Sequence, residues 1–194
     1  MREPPKAQDA NEAKMLEMNI REMDNPQVTA VELAWLAGIW DGEGTISVRR
    51  SKPIKQLSPR CSMVNTNPLI LERVCDILTR LGIRYHLREK GPGGFEGSIK
   101  QCWIISMDSL TSADQFLHHL KPYLVGKYPQ ACLLERFVVS RLARKHKKAL
   151  HLAPYSREEL QVIEELYTVN GNQRGTSETI REALVELERQ QVMI

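Results

Sequence analysis

Residues 35–44 read WLAGIWDGEG. Two carboxylates, Asp41 and Glu43, alternate with Gly42 and Gly44 where the pattern predicts the C-terminal end of a helix. That end carries the negative pole of the helix dipole, so acids there are ordinarily unfavourable. A cation at the helix end would make the placement sensible. Mg2+ takes oxygen ligands and is often held by one or two carboxylates together with a substrate phosphate. Gly42 and Gly44 free the backbone to leave the helix, which brings a carbonyl, that of Gly42, towards the metal beside Glu43. Metals held this way activate water and neutralise the leaving oxygen in phosphodiester hydrolysis. One chain offers few carboxylates at this point, whereas two such helix ends side by side offer a pair.

The helix that positions these acids has a readable start. Thr29-Ala30-Val31-Glu32 is a capping box, with Glu32 reaching back to the cap. Leu33, Leu36 and Trp40 form a large apolar stripe. Ala34, Ala37, Gly38 and Asp41 form a small-residue stripe at i, i+3, i+4 and i+7. A glycine inside a helix costs about 1 kcal/mol relative to alanine. Gly38 among alanines is therefore read as a place where another backbone comes close, and this stripe is the expected interface with a second copy.

After Gly44 the period changes to two. Thr45, Ser47, Arg49 and Ser51 fall on one face of a strand and Ile46 and Val48 on the other. A second strand is expected over 58–65, a helix over 68–81 with Leu71, Val74, Leu78 and Leu81 inward, and a third strand over 85–90. His86, Arg88 and Lys90 share a face of that third strand. A glycine-rich turn at 91–94 leads to a fourth strand over 98–106. There Lys100 and Cys102 oppose Trp103 and Ile105. Helices are expected near 109–120, 130–150, 157–169 and 176–190. The order is αββαββα with further helices appended. An antiparallel sheet of this kind buries one face and leaves the other open. The open face is expected to carry Ser47, Arg49, Ser51, Arg60, Ser62, His86, Arg88, Lys90 and Lys100. Alternating long polar side chains on a curved ribbon suit base edges in a major groove.

Charge agrees with that use. The net charge is only +3, but residues 45–100 hold 11 Lys/Arg against 4 Asp/Glu, and residues 121–151 hold 8 against 1. Two basic segments inside a nearly neutral chain point to a polyanion-binding surface. The four cysteines form no CxxC pair, which argues against a zinc site or a disulfide framework and for free thiols. No apolar run is long enough to span a bilayer, and the first 25 residues lack the apolar core of a signal peptide. The expected location is intracellular, in a bacterial cytoplasm or an organelle, with no membrane partner.

Leu36–Gly44, LAGIWDGEG, resembles the motif that names the LAGLIDADG homing endonucleases, and the αββαββα order is similar to their fold. The resemblance runs from about Thr29 to Glu188. It includes TSETIREALVEL at 176–187, which is like the closing segment of single-motif members. It implies an α+β fold with an antiparallel DNA-binding sheet and appended C-terminal helices. Residues 1–26 would be a polar arm and 27–194 the endonuclease domain. Only one motif is present, which in this family implies a homodimer with the two motif helices packed at the centre.

The resemblance further implies that Glu43, at the motif's eighth position, binds the catalytic metal. The family more often has Asp there. Asp41, at the sixth position, would fix the helix end. Lys127, in LKPYLVGKYPQA, matches a family lysine that supports the water and the transition-state charge. Asn65, or next Thr66, would orient solvent after the second strand. The cofactor implied is Mg2+, with other divalent cations such as Mn2+ also suited. The expected activity is a double-strand break in a long, imperfectly palindromic DNA site. A splicing maturase binding intron RNA with the same fold is the alternative. A regulatory DNA-binding protein with a retired active site comes third, disfavoured by the intact DGEG and Lys127.

Overall fold

The computed structural model describes residues 27–50, 57–90, 101–144 and 155–171. Ser51 and Lys100, the expected helix over 176–190 and the N-terminal arm lie outside these residues. In chain order the elements are α1 (Ala30–Glu43), β1 (Gly44–Arg50), β2 (Leu57–Asn65), α2 (Pro68–Arg80), β3 (His86–Glu89), β4 (Trp103–Met107), α3 (Leu110–Leu120), a 3-10 turn (Lys121–Tyr123), α4 (Tyr128–Ala143) and α5 (Arg157–Val169). This is the expected αββαββα order with helices appended.

The four strands form one antiparallel sheet in the order β1-β2-β4-β3. Register places Gly44 opposite Met63, Met63 opposite Ile105, and Ile105 opposite Leu87. Ile46, Val48, Cys61, Met63, Ile105 and Met107 are buried on the face that meets the helices. The helices supply Leu36, Trp40, Val74, Leu78, Phe116, Leu134 and Phe137 to the same core. Trp40 and Phe116 pack with ring centroids 4.5 Å apart. Each fully buried side chain of this size contributes about 1.5–3 kcal/mol.

Local chemistry fixes the elements. Thr29 and Glu32 make the full capping box at the start of α1. Arg80, at the end of α2, reaches Glu32 with both terminal nitrogens. Together with the Thr29 backbone N–H it pulls the Glu32 carboxyl down to about 2, the Arg80 bond being the larger cause. Asn67 caps α2 through its side chain, and Pro68 stands at the first helical position. Beyond α2, Gly82 has φ 68°, a conformation that favours glycine.

The exit from α1 has no slack. The Gly44 N–H bonds back to the Trp40 carbonyl, and β1 begins at once. A Cβ on Gly44 would sit 2.5 Å from the Trp40 carbonyl oxygen and overlap the buried indole. Gly44→Ala is therefore expected to destabilise the protein by about 2–3 kcal/mol, in the range of overpacked core substitutions. Thermal denaturation checks this, and an unchanged melting temperature would show that the α1–β1 junction yields more easily than its packing implies.

Candidate active site and nucleic-acid face

Asp41 and Glu43, two residues apart, have different surroundings. Asp41 is half-buried and accepts three backbone N–H groups: Val125 at 2.8 Å, Gly126 at 3.1 Å and Lys127 at 2.8 Å. These donors belong to the loop that leads into α4, so the carboxylate occupies the positive end of a neighbouring helix. Partial burial pushes the Asp41 carboxyl up. The three N–H bonds and the nearby Lys127 charge outweigh this, and the group sits below its ordinary value. Lys127 Nζ in turn donates to the Asp41 carbonyl, one of the orphan acceptors at the end of α1. One of the two acids is thus explained without any metal, because it joins the end of α1 to the start of α4.

Glu43 is not so engaged. It is exposed in the last turn of α1, beside exposed Gly42. Asn65 lies at the same end of the sheet, since β1 opens opposite Met63. Its Oδ1 accepts the Asn67 N–H at 2.8 Å and shapes the turn into α2. Thr66, the other solvent-orienting candidate, is exposed in that turn.

The sheet face opposite the core carries continuous cross-strand rows. One runs Thr45, Ser62, Ser106, His86 over all four strands, and Ser47 pairs with Arg60 beside it. Arg49, His86, Arg88 and Lys90 are exposed on this face. Arg60 is held in place: its Nε donates to Ser62 Oγ at 3.3 Å and lies 3.9 Å from Asp108 Oδ1. Ser62 corrects the sequence reading. It is only 7% exposed and serves as floor beneath Arg60, not as a surface contact. In β4 and just before it, Cys102, Ile104 and Ser106 on this face are all buried, so the described part of that strand adds no charge.

The small-residue stripe also needs correcting. Ala37 is fully buried in the chain's own core, and Asp41 is tied to the 125–127 loop. The outward ridge is Val31, Ala34, Gly38 and Gly42, with Val31 78% exposed. A Cβ on Gly38 or Gly42 would meet nothing within 4 Å among the described residues. Neither glycine is required by packing among the described residues.

Comparison with known proteins decides the fold family. Residues 30–116 match the family model of the LAGLIDADG-like domain. Over those residues the chain is similar to a LAGLIDADG-like domain. Among solved structures it is similar to the homing endonuclease I-CvuI in complex with its target in the presence of Ca, with 23% identity, 81% of this chain and 95% of that chain covered, and a TM-score of 0.58. The same enzyme on the I-CreI target in the presence of Mg matches at 24% identity over 81% and 95% of the two chains, with a TM-score of 0.53. The group I intron-encoded homing endonuclease I-CeuI, complexed with DNA, matches at 15% identity over 90% and 93%, with a TM-score of 0.52. No curated protein sequence matches the chain. The fold is thereby the LAGLIDADG homing endonuclease fold, an α+β arrangement as the sequence implies.

The donor set at the end of α1 suits a hard cation only in part. Among the described residues no three His, Cys, Asp or Glu side chains cluster to hold a metal. With Asp41 committed to N–H groups, one chain offers the Glu43 carboxylate and the Gly42 carbonyl. Both are hard oxygen donors of the kind Mg2+ takes, and a phosphate with a second chain's Glu43 would complete such a site. Sequence reasoning did not find the Val125–Lys127 cradle or the Asp108 support behind Arg60. Gly126-Lys127 before a Pro-opened helix was the available signal for the first; nothing in the sequence pairs Arg60 with Asp108.

Proposed function

We propose that the protein is a site-specific DNA endonuclease that acts as a homodimer and uses a divalent cation, Mg2+ in the first instance. The observation that carries this is the exposed Glu43 carboxylate at the end of α1, on the same helix as an outward glycine ridge and at one end of a basic, open sheet. The ridge allows a second α1 to approach closely, as small residues do wherever helix backbones come near each other. Two Glu43 carboxylates and two Gly42 carbonyls would then flank the scissile phosphates. The cation, when bound, supplies activation of water and neutralisation of the leaving oxygen. Asp41 keeps the helix end and the Lys127 loop in fixed relation. Lys127, whose ammonium lies at the Asp41 carbonyl, supports developing charge at the phosphate. Asn65 or Thr66 orients solvent at the sheet end.

The sheet would lie along the major groove, each protomer reading half of a pseudo-palindromic site. The similar structures are of endonucleases with DNA, which favours DNA over intron RNA as the ligand. Binding-site selection from a randomised duplex tests this. Affinity should fall steeply with salt, at a log–log slope of about −0.9 for each neutralised phosphate. Arg49→Ala and Arg88→Ala should each relax preference at particular base positions, by roughly 1–3 kcal/mol per lost bidentate contact. Uniform weakening across all sequences would make these arginines phosphate ligands instead, and failure to select any sequence would count against the endonuclease.

A further inference from the structure

Among the described residues β1 is the outermost strand on its side of the sheet, so alternate carbonyls point away from β2 with no described strand to receive them. Two of these are bonded by side chains of the last described helical segment. Tyr167 Oη donates to the Val48 carbonyl at 2.9 Å, and Asn170 Nδ2 donates to the Ile46 carbonyl at 3.0 Å. Tyr155 holds the start of β2, its hydroxyl accepting the Leu57 N–H at 2.7 Å and donating to the Leu57 carbonyl at 3.2 Å. Ser47 lies between the two bonded carbonyls, and Arg49 follows the second.

The segment that makes these bonds is itself tied down. Glu159, 1% exposed, closes the Ser156 capping box of α5 and receives Ser140 of α4 and Arg144 at the C-cap of that helix. Arg141, also buried, lies beside Glu159 and over the Tyr155 ring at 4.6 Å. A buried charge network with its hydrogen bonds satisfied resists rearrangement. α4 is the helix whose leading loop clasps Asp41. The outer strand is thus attached, through α5 and α4, to the end of α1 that carries Glu43.

We propose that Tyr167 and Asn170 are positioning residues for groove readout: they fix the lie of β1 so that Ser47 and Arg49 meet their bases at a set distance from Glu43. This rests on the DNA-reading role proposed above for the sheet. The two residues sit at the strand edge and bond its backbone, so they act through Ser47 and Arg49. A bare edge strand twists and shifts more freely than a paired one, and base readout by hydrogen bonds tolerates little displacement.

The test uses the full chain with Tyr167→Phe and Asn170→Ala, singly and combined, beside Ser47→Ala and Arg49→Ala. Binding-site selection identifies the base positions that depend on Ser47 and Arg49, and amide hydrogen exchange compares β1 with β4. The double variant is expected to lose discrimination about five- to tenfold at the Ser47 and Arg49 positions, the scale of one to two net hydrogen bonds. Positions read through Arg88 should be unaffected. Exchange of β1 amides should quicken by a similar factor while β4 stays protected. Unchanged exchange in β1, or equal loss at every base position, would overturn the proposal. Lack of sequence selection by the wild-type protein would remove the DNA role itself and the readout part of the proposal with it, and exchange would still show whether β1 is braced.

Discussion

Replacing Glu43 by glutamine is expected to lower the rate of DNA cleavage by at least about a hundredfold while leaving binding of the same duplex within about threefold of normal. The side chain keeps its shape and loses its charge, which weakens an oxygen site for a hard cation. Glu43 is exposed at the end of α1 and lies away from the sheet face that carries Arg49, Arg60 and Arg88, so base readout should persist. Removing a negative charge from a helix C-terminus also relieves an unfavourable dipole interaction. The variant should therefore melt no earlier than the wild type without metal. Asp41 supplies the contrast. Its carboxylate holds three backbone N–H groups, so Asp41→Asn should lower stability along with activity. Lys127→Met should fall between the two, because the ammonium both caps the end of α1 and faces the proposed reaction site. Binding, nicking and melting measured on one set of proteins separate these roles. Full cleavage by Glu43→Gln would remove Glu43 from the mechanism.

The second large effect concerns Gly38. Among the described residues nothing lies within 4 Å of a Cβ placed there, so a side chain can be added without clash against them. For an isolated chain, Gly38→Ala should raise stability by about 1 kcal/mol, the ordinary gain in a helix interior. For a chain whose α1 packs on a second α1 at this point, the added methyl pushes two backbones apart. Gly38→Leu should then leave a folded monomer and abolish the dimer, with cleavage lost as a consequence. Light scattering and melting at several protein concentrations read both outcomes. A wild-type protein that is monomeric both free and on DNA, with Gly38→Ala simply more stable, would show that the ridge faces solvent.

Much of this fold is legible before any coordinates. The Thr29–Glu32 box, the step to period two at Gly44 and the Arg157–Val169 helix are local signals, and the structure reproduces them closely. Alternation also assigns Arg49, Arg60, His86 and Arg88 to one sheet face, as the register has it. The failures are of another kind. Positions 34 and 37 lie about 60° apart around a helix, so spacing alone cannot say which of two adjacent faces is covered. The core covers Ala37 and leaves Ala34 outside. Ser62 is on the expected face, but Arg60 and its own burial decide that it supports a neighbour. Asp41 finds its partners 84 to 86 residues away, and Tyr167 meets Val48 across 119. Contacts at such separations leave no local pattern. They also explain why one acid of the motif reads as structural once its surroundings are known.

On the proposed function, two copies of the chain cut both strands of DNA at one recurrent site with a divalent cation. This is tested most directly by incubating the wild-type protein with a randomised duplex library in Mg2+ and sequencing the ends produced, beside reactions with chelator and with Glu43→Gln. The expected result is ends enriched around a single long, imperfectly palindromic sequence, in the wild-type reaction containing Mg2+ and in neither control. Ends no more frequent than in chelator, or equally frequent with Glu43→Gln, would contradict it.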